Sequence, residues 1–358
     1  MSRRPQGQRI LIRGIMLALL AASLYIMTSR VQAPANSPPS VPQSSAPVRP
    51  PVAESPSRSA PSGGPSKLGV GAWNIEWLGQ PGERSGDGRD TPQSPSHIAE
   101  CIAFTEVAVL GLAEIIATGN ASPPTSLELD ATIPLLNELT NGDWTYELNP
   151  GQSAGDQLTG FMWNRSVVQA VDIKGDPWGE SDDPRRLAIA VGRGPTGNPL
   201  WHRPPHAMKF SAGAGLTDVV VVPVHMKADY RGDFAAHRAQ EASAMAASLA
   251  KLRSEFRDSD ILVVGDTNCA SPLEPALTVF AEAGLVDRNM QDEATHWRGG
   301  SMDRILFTEG QPEFAAAAFN VASPGFLDKK RWDARDFKRN LSDHFPVFTT
   351  ITITIDDD

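Results

Sequence analysis

Acids, amides and histidines recur at one kind of place in this chain, the end or the mouth of a short apolar run. Asn74 and Glu76 follow Trp73 in "LGVGAWNIEWLG", Glu114 closes "AVLGLAEI", and His225 stands near the end of "TDVVVVPVHMKA". Asp266 and Asn268 lie in "DILVVGDTNCA", Asp303 in "SMDRILFT", and Asp343 and His344 at the entrance of "LSDHFPVFTTITITI". Buried in an apolar interior, such groups would be costly unless paired. Gathered at one end of a scaffold, so many carboxylates would repel one another, and a divalent cation is the simplest offset. Oxygen donors with little thiolate favour Mg²⁺, Mn²⁺ or Ca²⁺ over zinc. An acid beside a histidine adds a proton-handling pair.

The elements that must position these groups are short strands separated by helices. Val70 and Ala72 alternate up to Trp73, and Ile98, Ile102 and Val107 keep helical spacing in "HIAECIAFTEV". "TGFMWNRSVV" and "HAMKF" have strand character, and "DFAAHRAQEASAMAASLAKLRSEF" is an alanine-rich amphipathic helix. The final strand is expected over residues 345–355. Strands interspersed with helices place the chain in the α/β class.

In order along the chain, "WNIEW", "GLAEI", "VVPVHMKA", "VVGDTN", "SMDRILF" and "LSDHFPVF" resemble the endonuclease/exonuclease/phosphatase superfamily. That family includes secreted deoxyribonucleases, abasic-site endonucleases, sphingomyelinases and inositol-phosphate phosphatases. The resemblance runs from about Leu68 to Ile355. It implies a four-layer α/β sandwich, with two mixed sheets face to face and helices outside, and metal-dependent phosphoester cleavage. Position by position it implies Glu114 as principal metal ligand, with Asn74, Glu76 and Asp343 close to the ion. Asp266 and Asn268 match the pair that orients the attacking water and contacts the phosphate. His344 matches the active-site histidine and Asp303 the carboxylate that orients it. His225 matches a second histidine at the phosphate or leaving group, and Arg203 a phosphate-facing arginine. The sequence departs from the pattern at Ala113, where glutamine is usual, and at Thr267, where an aromatic is commoner. Asp156 and Gln157 stand nearest the place of a glutamate that supports the second histidine.

Taken singly, each of these residues has an ordinary reading, as a turn acid or a satisfied core histidine; the ordered set carries the functional one. His97, His202, His206, His237 and His296 are expected to be structural or on the surface, and Trp163 and Trp297 to be core.

The 358 residues divide by composition. Residues 1–66 carry seven arginines and one acid, Glu54, leaving 25 basic and 41 acidic residues, a net of −16, in 67–358. Arg3, Arg4, Arg9 and Arg13 before "GIMLALLAASLYIM" have the layout of an export signal, so residues 1–33 are expected to be a signal peptide or a retained membrane anchor. Residues 34–66 form a Pro/Ser-rich linker too poor in apolar side chains to fold, and the catalytic domain is expected over 67–358. An exported location, in the cell envelope or secreted, follows. Cys101 and Cys269 make no disulfide framework and are expected unpaired. "DKKRWDARDFKRN" is either a solvated loop or a phosphate-gripping rim with Trp332 for stacking, against an acidic total that weakens attraction to polyanions.

The expected function is a divalent-metal-dependent phosphodiesterase using Mg²⁺ (or Mn²⁺ or Ca²⁺), foremost a nuclease with nucleic acid as its partner and no obligate protein partner. A phosphatase or phospholipase C-like enzyme is the enzymatic alternative, and a non-catalytic binding module of the same fold the third.

Overall fold

The computed structural model describes residues 67–80, 92–151, 155–173, 185–188, 200–229 and 232–357. Its contacts divide the chain into Met1–Pro61 and Ser62–Asp358, and all described residues belong to the second unit. The expected export segment and Pro/Ser linker lie outside the described residues. No helix among the described residues is long and apolar enough to cross a membrane.

Two mixed sheets form the centre. The first joins β1 (Lys67–Leu78), β2 (Val109–Ile115), β3 (Trp144–Leu148), β4 (Leu158–Asn164), β12 (Asn320–Val321) and β13 (Val347–Thr352) in the order β12-β13-β1-β2-β4-β3. The second joins β5 (Gln169–Ala170), β7 (His206–Ser211), β8 (Asp218–His225), β9 (Ile261–Asp266), β10 (Leu285–Asp287) and β11 (Asp303–Thr308) in the order β10-β11-β9-β8-β7-β5, with β6 (Arg186–Ala188) also on β7. Each sheet has one parallel pair at its centre, β1/β2 and β8/β9, and antiparallel neighbours outside. A parallel pair needs a crossover. Helix α1 (Pro95–Thr105) supplies the first and α3 (Ala235–Phe256) the second.

Apolar side chains explain the layering. Leu68, Val70 and Phe161 of the first sheet interlock with Phe210, Val221, Leu262 and Phe307 of the second. Trp73, Leu110 and Leu112 face the opposite way, onto α1, α2 (Leu127–Thr140), α5 (Gly325–Lys330) and α6 (Ala334–Asn340). Val220, Val222 and Val263 pack outward onto α3 and α4 (Pro275–Glu282). Both faces of β8 are thus covered, which is why its sequence is an unbroken apolar run. The result is the four-layer α/β sandwich with helices outside. Gly111 permits the sheets to approach: a Cβ there would lie 2.9 Å from Val264 Cγ2 and 3.3 Å from Pro223 Cβ.

Two expectations change, and one helix, α2, had no expectation. The last strand covers Val347–Thr352, shorter than expected at both ends; at its start Pro346 has no N–H to give a ladder. Helix α2 carries Pro134 inside it, which hides it from a periodicity reading. The basic run is helical rather than a loop, and it is split: Lys330 and Lys338 are paired, while Lys329, Arg331, Arg335 and Arg339 stay exposed. It forms α5 and α6, with Lys330 Nζ 2.6 Å from Glu100 and Lys338 paired with Glu76. Trp332 packs edge-on against Phe326 and His97 in the outer helical layer, so it is no stacking platform. Cys101 and Cys269 are buried and unpaired, in cores on different faces of the sandwich.

Candidate active site

The carboxyl ends of the two parallel pairs bring together Asn74 and Glu76 (β1), Glu114 (β2), His225 (β8) and Asp266 (β9). Antiparallel partners deliver the rest: Asp303 opens β11 directly opposite Asp266, and Asp343 and His344 precede β13, whose Val347 pairs with Ala72. The ends of β1 and β2 are irregular. Register breaks fall between Asn74 and Leu78 on one strand and between Leu112 and Ile115 on the other. Such bulges re-aim side chains near sites. Glu76, Trp77, Glu114 and Asn268 all hold positive φ, at 33°, 53°, 61° and 53°. Non-glycine residues keep that conformation only where surrounding structure enforces it.

Asn74 is the hub. Its Nδ2 donates to Glu114 Oε1 at 3.1 Å and to Asp266 Oδ2 at 2.9 Å. The Glu76 backbone N–H donates to Asn74 Oδ1 at 3.0 Å, which fixes the amide orientation, since a main-chain N–H can only donate. Glu114 Oε2 accepts from the Trp77 N–H (3.2 Å), and Asp266 Oδ1 from the Asn268 N–H (2.9 Å). Asn268 is anchored by Nδ2 donating to Met226 O at 3.0 Å. His225 Nε2 lies 3.6 Å from Glu114 Oε1 and 3.5 Å from Asp266 Oδ2.

His344 Nδ1 lies 2.7 Å from Asp303 Oδ2, which also accepts from Thr295 Oγ1 at 2.7 Å. Its Nε2 faces Asp266 Oδ2 at 3.8 Å and Asp343 Oδ1 at 4.0 Å. The backbone here is fixed as tightly: Trp73 Nε1 donates to His344 O, and Ser342 Oγ donates to Asn74 O while accepting from the His344 N–H.

The charges are set by crowding. Burial, then the Asp343 carboxylate, push Glu114 up to about 7. Burial raises Asp266 too, against the pull of His344. Burial, with the Arg203 and His344 cations, drives His225 well below its usual value. Burial opposes the charge on His344, but Asp303, Asp266 and Asp343 outweigh it and hold that imidazole well above the ordinary value. Asp343, resisting burial with help from His296 and His344, falls to about 2.

Donor atoms of Glu114, His225 and Asp266 lie within 4.8 Å of one another, as do those of Asp266, Asp303 and His344, and of His296, Asp343 and His344. Two buried-side carboxylates converging on one amide, with their like charges costly, suit a hard divalent cation. Glu114 and Asp266 are the acids at that point. Asn74 turns its NH₂ toward them and its oxygen toward Glu76, and the Glu76 carboxylate is engaged by buried Lys338. Asp343 stands on the His296 side of the cluster, 3.8 Å from that ring. Arg203 bonds to Gln157 and is drawn electrostatically to Glu114 and Asp266.

His296 was expected to be structural or on the surface. Instead it forms a β-bridge with His344 and packs edge-on against it at 5.1 Å. Lys338 likewise joins the site. No sequence signal marks His296; the exchange of hydrogen bonds between Thr295, beside it, and Asp303 exists only in the fold. For Lys338 no sequence signal distinguishes it from its basic neighbours.

No family model matches the sequence, and no curated protein matches it. Solved structures do match its fold. The human Nocturnin catalytic domain with bound sulfate superposes with a TM-score of 0.52 at 17% identity, over 80% of this chain and 94% of that one. An endonuclease/exonuclease/phosphatase from Bacteroides vulgatus gives 0.51 at 12% identity, over 80% and 98%. A Bacteroides thetaiotaomicron mannosyl-6-phosphatase gives 0.50 at 12%, over 79% and 99%. The sandwich is therefore the endonuclease/exonuclease/phosphatase fold.

Proposed function

We propose that this chain, with the endonuclease/exonuclease/phosphatase fold, is a divalent-metal-dependent phosphodiesterase that hydrolyses DNA or RNA. The observation that carries the hydrolytic reading is the 2.7 Å pair of Asp303 and His344 beside Asp266 and Glu114, four residues from four strands or strand mouths. A divalent cation bound by Glu114 and Asp266, with Asp343 close by, supplies charge neutralisation at the phosphoryl oxygens and lowers the pKa of water.

The chain's own groups then divide the work. Asp303 accepts the Nδ1 proton of His344, so Nε2 is the nitrogen that meets the substrate. His344, held cationic, offers its charge to the phosphoryl oxygens and its Nε2 proton to the leaving oxygen as that P–O bond breaks. Asp266, fixed by the Asn268 N–H and Asn74, is placed to orient the attacking water, whose proton passes to solvent. Asn268, His225 and Arg203 line the phosphate side, with Arg203 supplying the positive charge that the transition state needs.

An extended substrate is favoured by two recesses at the margins, each with one tryptophan, two cations and one acid; Trp297, expected to be core, is half-buried against it. One, beside Glu114, includes Trp77, Arg203 and Lys227; the other, beside His296, includes Trp297, Arg298 and Arg335. Arg298 lies 4.6 Å over the Trp297 ring. The full chain incubated with plasmid DNA, RNA, sphingomyelin and a sugar phosphate, with Mg²⁺ or EDTA, tests this reading. Metal-dependent cleavage of nucleic acid supports it, and turnover of only the lipid or the sugar phosphate refutes it.

We also propose that the N-terminal segment exports the enzyme to the cell envelope or the exterior. The charge pattern of residues 1–33 supports this. Fractionation of cells expressing the full chain is the check, and recovery from the cytosol alone would contradict it.

A further inference from the structure

Next to Glu114, through Trp77, lies a pocket that the hydrolytic step leaves unused except for one arginine. Trp77, Asp156, Gln157, His202, Arg203 and Lys227 line a cavity of about 230 Å³. That is smaller than the roughly 300–1,000 Å³ of pockets that enclose a whole small ligand, so its size suits one unit of a longer substrate. Its lining combines a tryptophan, two cations and one acid, Asp156. Trp77 is tied to the acids through its main chain, since its N–H donates to Glu114 Oε2 at 3.2 Å. Lys227 follows His225 by two residues; its N–H donates to buried Glu241 at 2.9 Å, and its Nζ rests 4.7 Å over the Phe234 ring. Arg203 donates to Gln157. Trp77 is therefore held beside the centre by the end of β1, bonded to Glu114 of β2, and Lys227 by the end of β8 that presents His225.

We propose that this pocket is a nucleotide subsite next to the scissile phosphodiester, in which Trp77 stacks on one base and Lys227 holds a flanking phosphate, while Arg203 stays on the scissile one. Stacking on an aromatic side chain tolerates any base, because each has a π face, while a lysine beside it tracks the backbone charge. Asp156 and Gln157 present polar groups to the base edge. Charged walls of this kind exclude an acyl chain as the occupant. The proposal rests on the nuclease reading and deepens it.

The test uses the full chain and three variants, Trp77→Ala, Trp77→Phe and Lys227→Met, each first shown to melt like the parent. Values of kcat/KM are compared on a single-stranded oligonucleotide and on bis(p-nitrophenyl) phosphate, a diester with no base. Binding of the same labelled oligonucleotide is measured in the inactive His344→Ala background with Mg²⁺. Trp77→Ala is expected to lose roughly 5- to 160-fold more on the oligonucleotide than on the small diester. Trp77→Phe should recover most of that loss. Lys227→Met should flatten the dependence of log affinity on log salt by about 0.7, the contribution of one single-strand phosphate. Equal losses on both substrates, or oligonucleotide binding indifferent to Trp77→Ala and Lys227→Met, would overturn the subsite. Absence of any nucleic-acid cleavage would instead defeat the nuclease reading, and the binding arm would still decide the pocket by whether Trp77→Ala weakens it.

Discussion

His344 Nδ1 and Asp303 Oδ2 stand 2.7 Å apart although 41 residues separate them, because β11 opens opposite the end of β9 while His344 enters β13 in the other sheet. The bond therefore crosses from one sheet to the other at the common end of the sandwich. Asp303 is almost wholly buried, and Thr295 donates to the same oxygen.

Asp303→Asn keeps the shape and removes the counter-charge and the fixed tautomer of His344. Turnover is expected to fall by about 10²–10⁴-fold, the usual worth of a positioned proton-transfer group. Steady-state kinetics alongside a melting curve check this: a large loss of kcat with an unchanged fold is the expected pattern.

Lys338 and Glu76 form an ion pair whose side chains are nearly inaccessible, whereas Lys330 and Glu100 remain partly in water. Removing one partner from a buried pair strands the other charge. Lys338→Met should destabilise the fold by about 3–5 kcal/mol, and Lys330→Met by under about 1 kcal/mol. Urea unfolding of the two variants measures both, and similar costs would mean that burial does not govern the pair.

Glu241 on α3 is buried, and burial pushes its carboxyl up to about 8 against the Lys227 N–H and the charges of Arg203, Arg238 and Lys227; His237 Nε2 lies 3.6 Å from it. Its value in the unfolded chain is near 4.5. The folded state thus holds an extra proton between those values. The stabilisation is complete below about 4.5 and is lost as the pH climbs to about 8, with a slope of up to about 1.4 kcal/mol per unit. Glu241→Gln keeps an acceptor for the Lys227 N–H and removes the titration. Melting temperatures from pH 5 to 8.5 should fall more steeply for the parent than for the variant, and parallel curves would refute the assignment.

Much of this architecture was legible in the sequence because both faces of the central strands are covered. "VVVVPV" and "ILVV" announce themselves as buried strands, and a polar residue at the end of such a run has nowhere to go but the rim. Asp266, Asn268, Asp303 and His344 were found that way and do converge. Side-chain partnerships were less visible. Nothing in "DFKRN" distinguishes Lys338, which turns inward to Glu76, from Arg339, which stays outside with Asp336. Helical phase relative to the sheet decides that, and phase depends on tertiary packing by Phe337. His296 escaped for a similar reason. It lies on a loop, where spacing carries no periodic signal, and only the β-bridge to His344 brings it to the site.

The central claim is that Glu114 and Asp266 converge to hold a hard divalent cation which hydrolysis requires. Mn²⁺ binding followed by electron paramagnetic resonance, on the full chain and on Glu114→Gln, tests it most directly. We expect saturable binding to one site in the parent, weakened at least tenfold in Glu114→Gln, with phosphodiester cleavage rising in step with occupancy. Unaltered Mn²⁺ affinity in Glu114→Gln, or cleavage that persists in EDTA, would contradict the account.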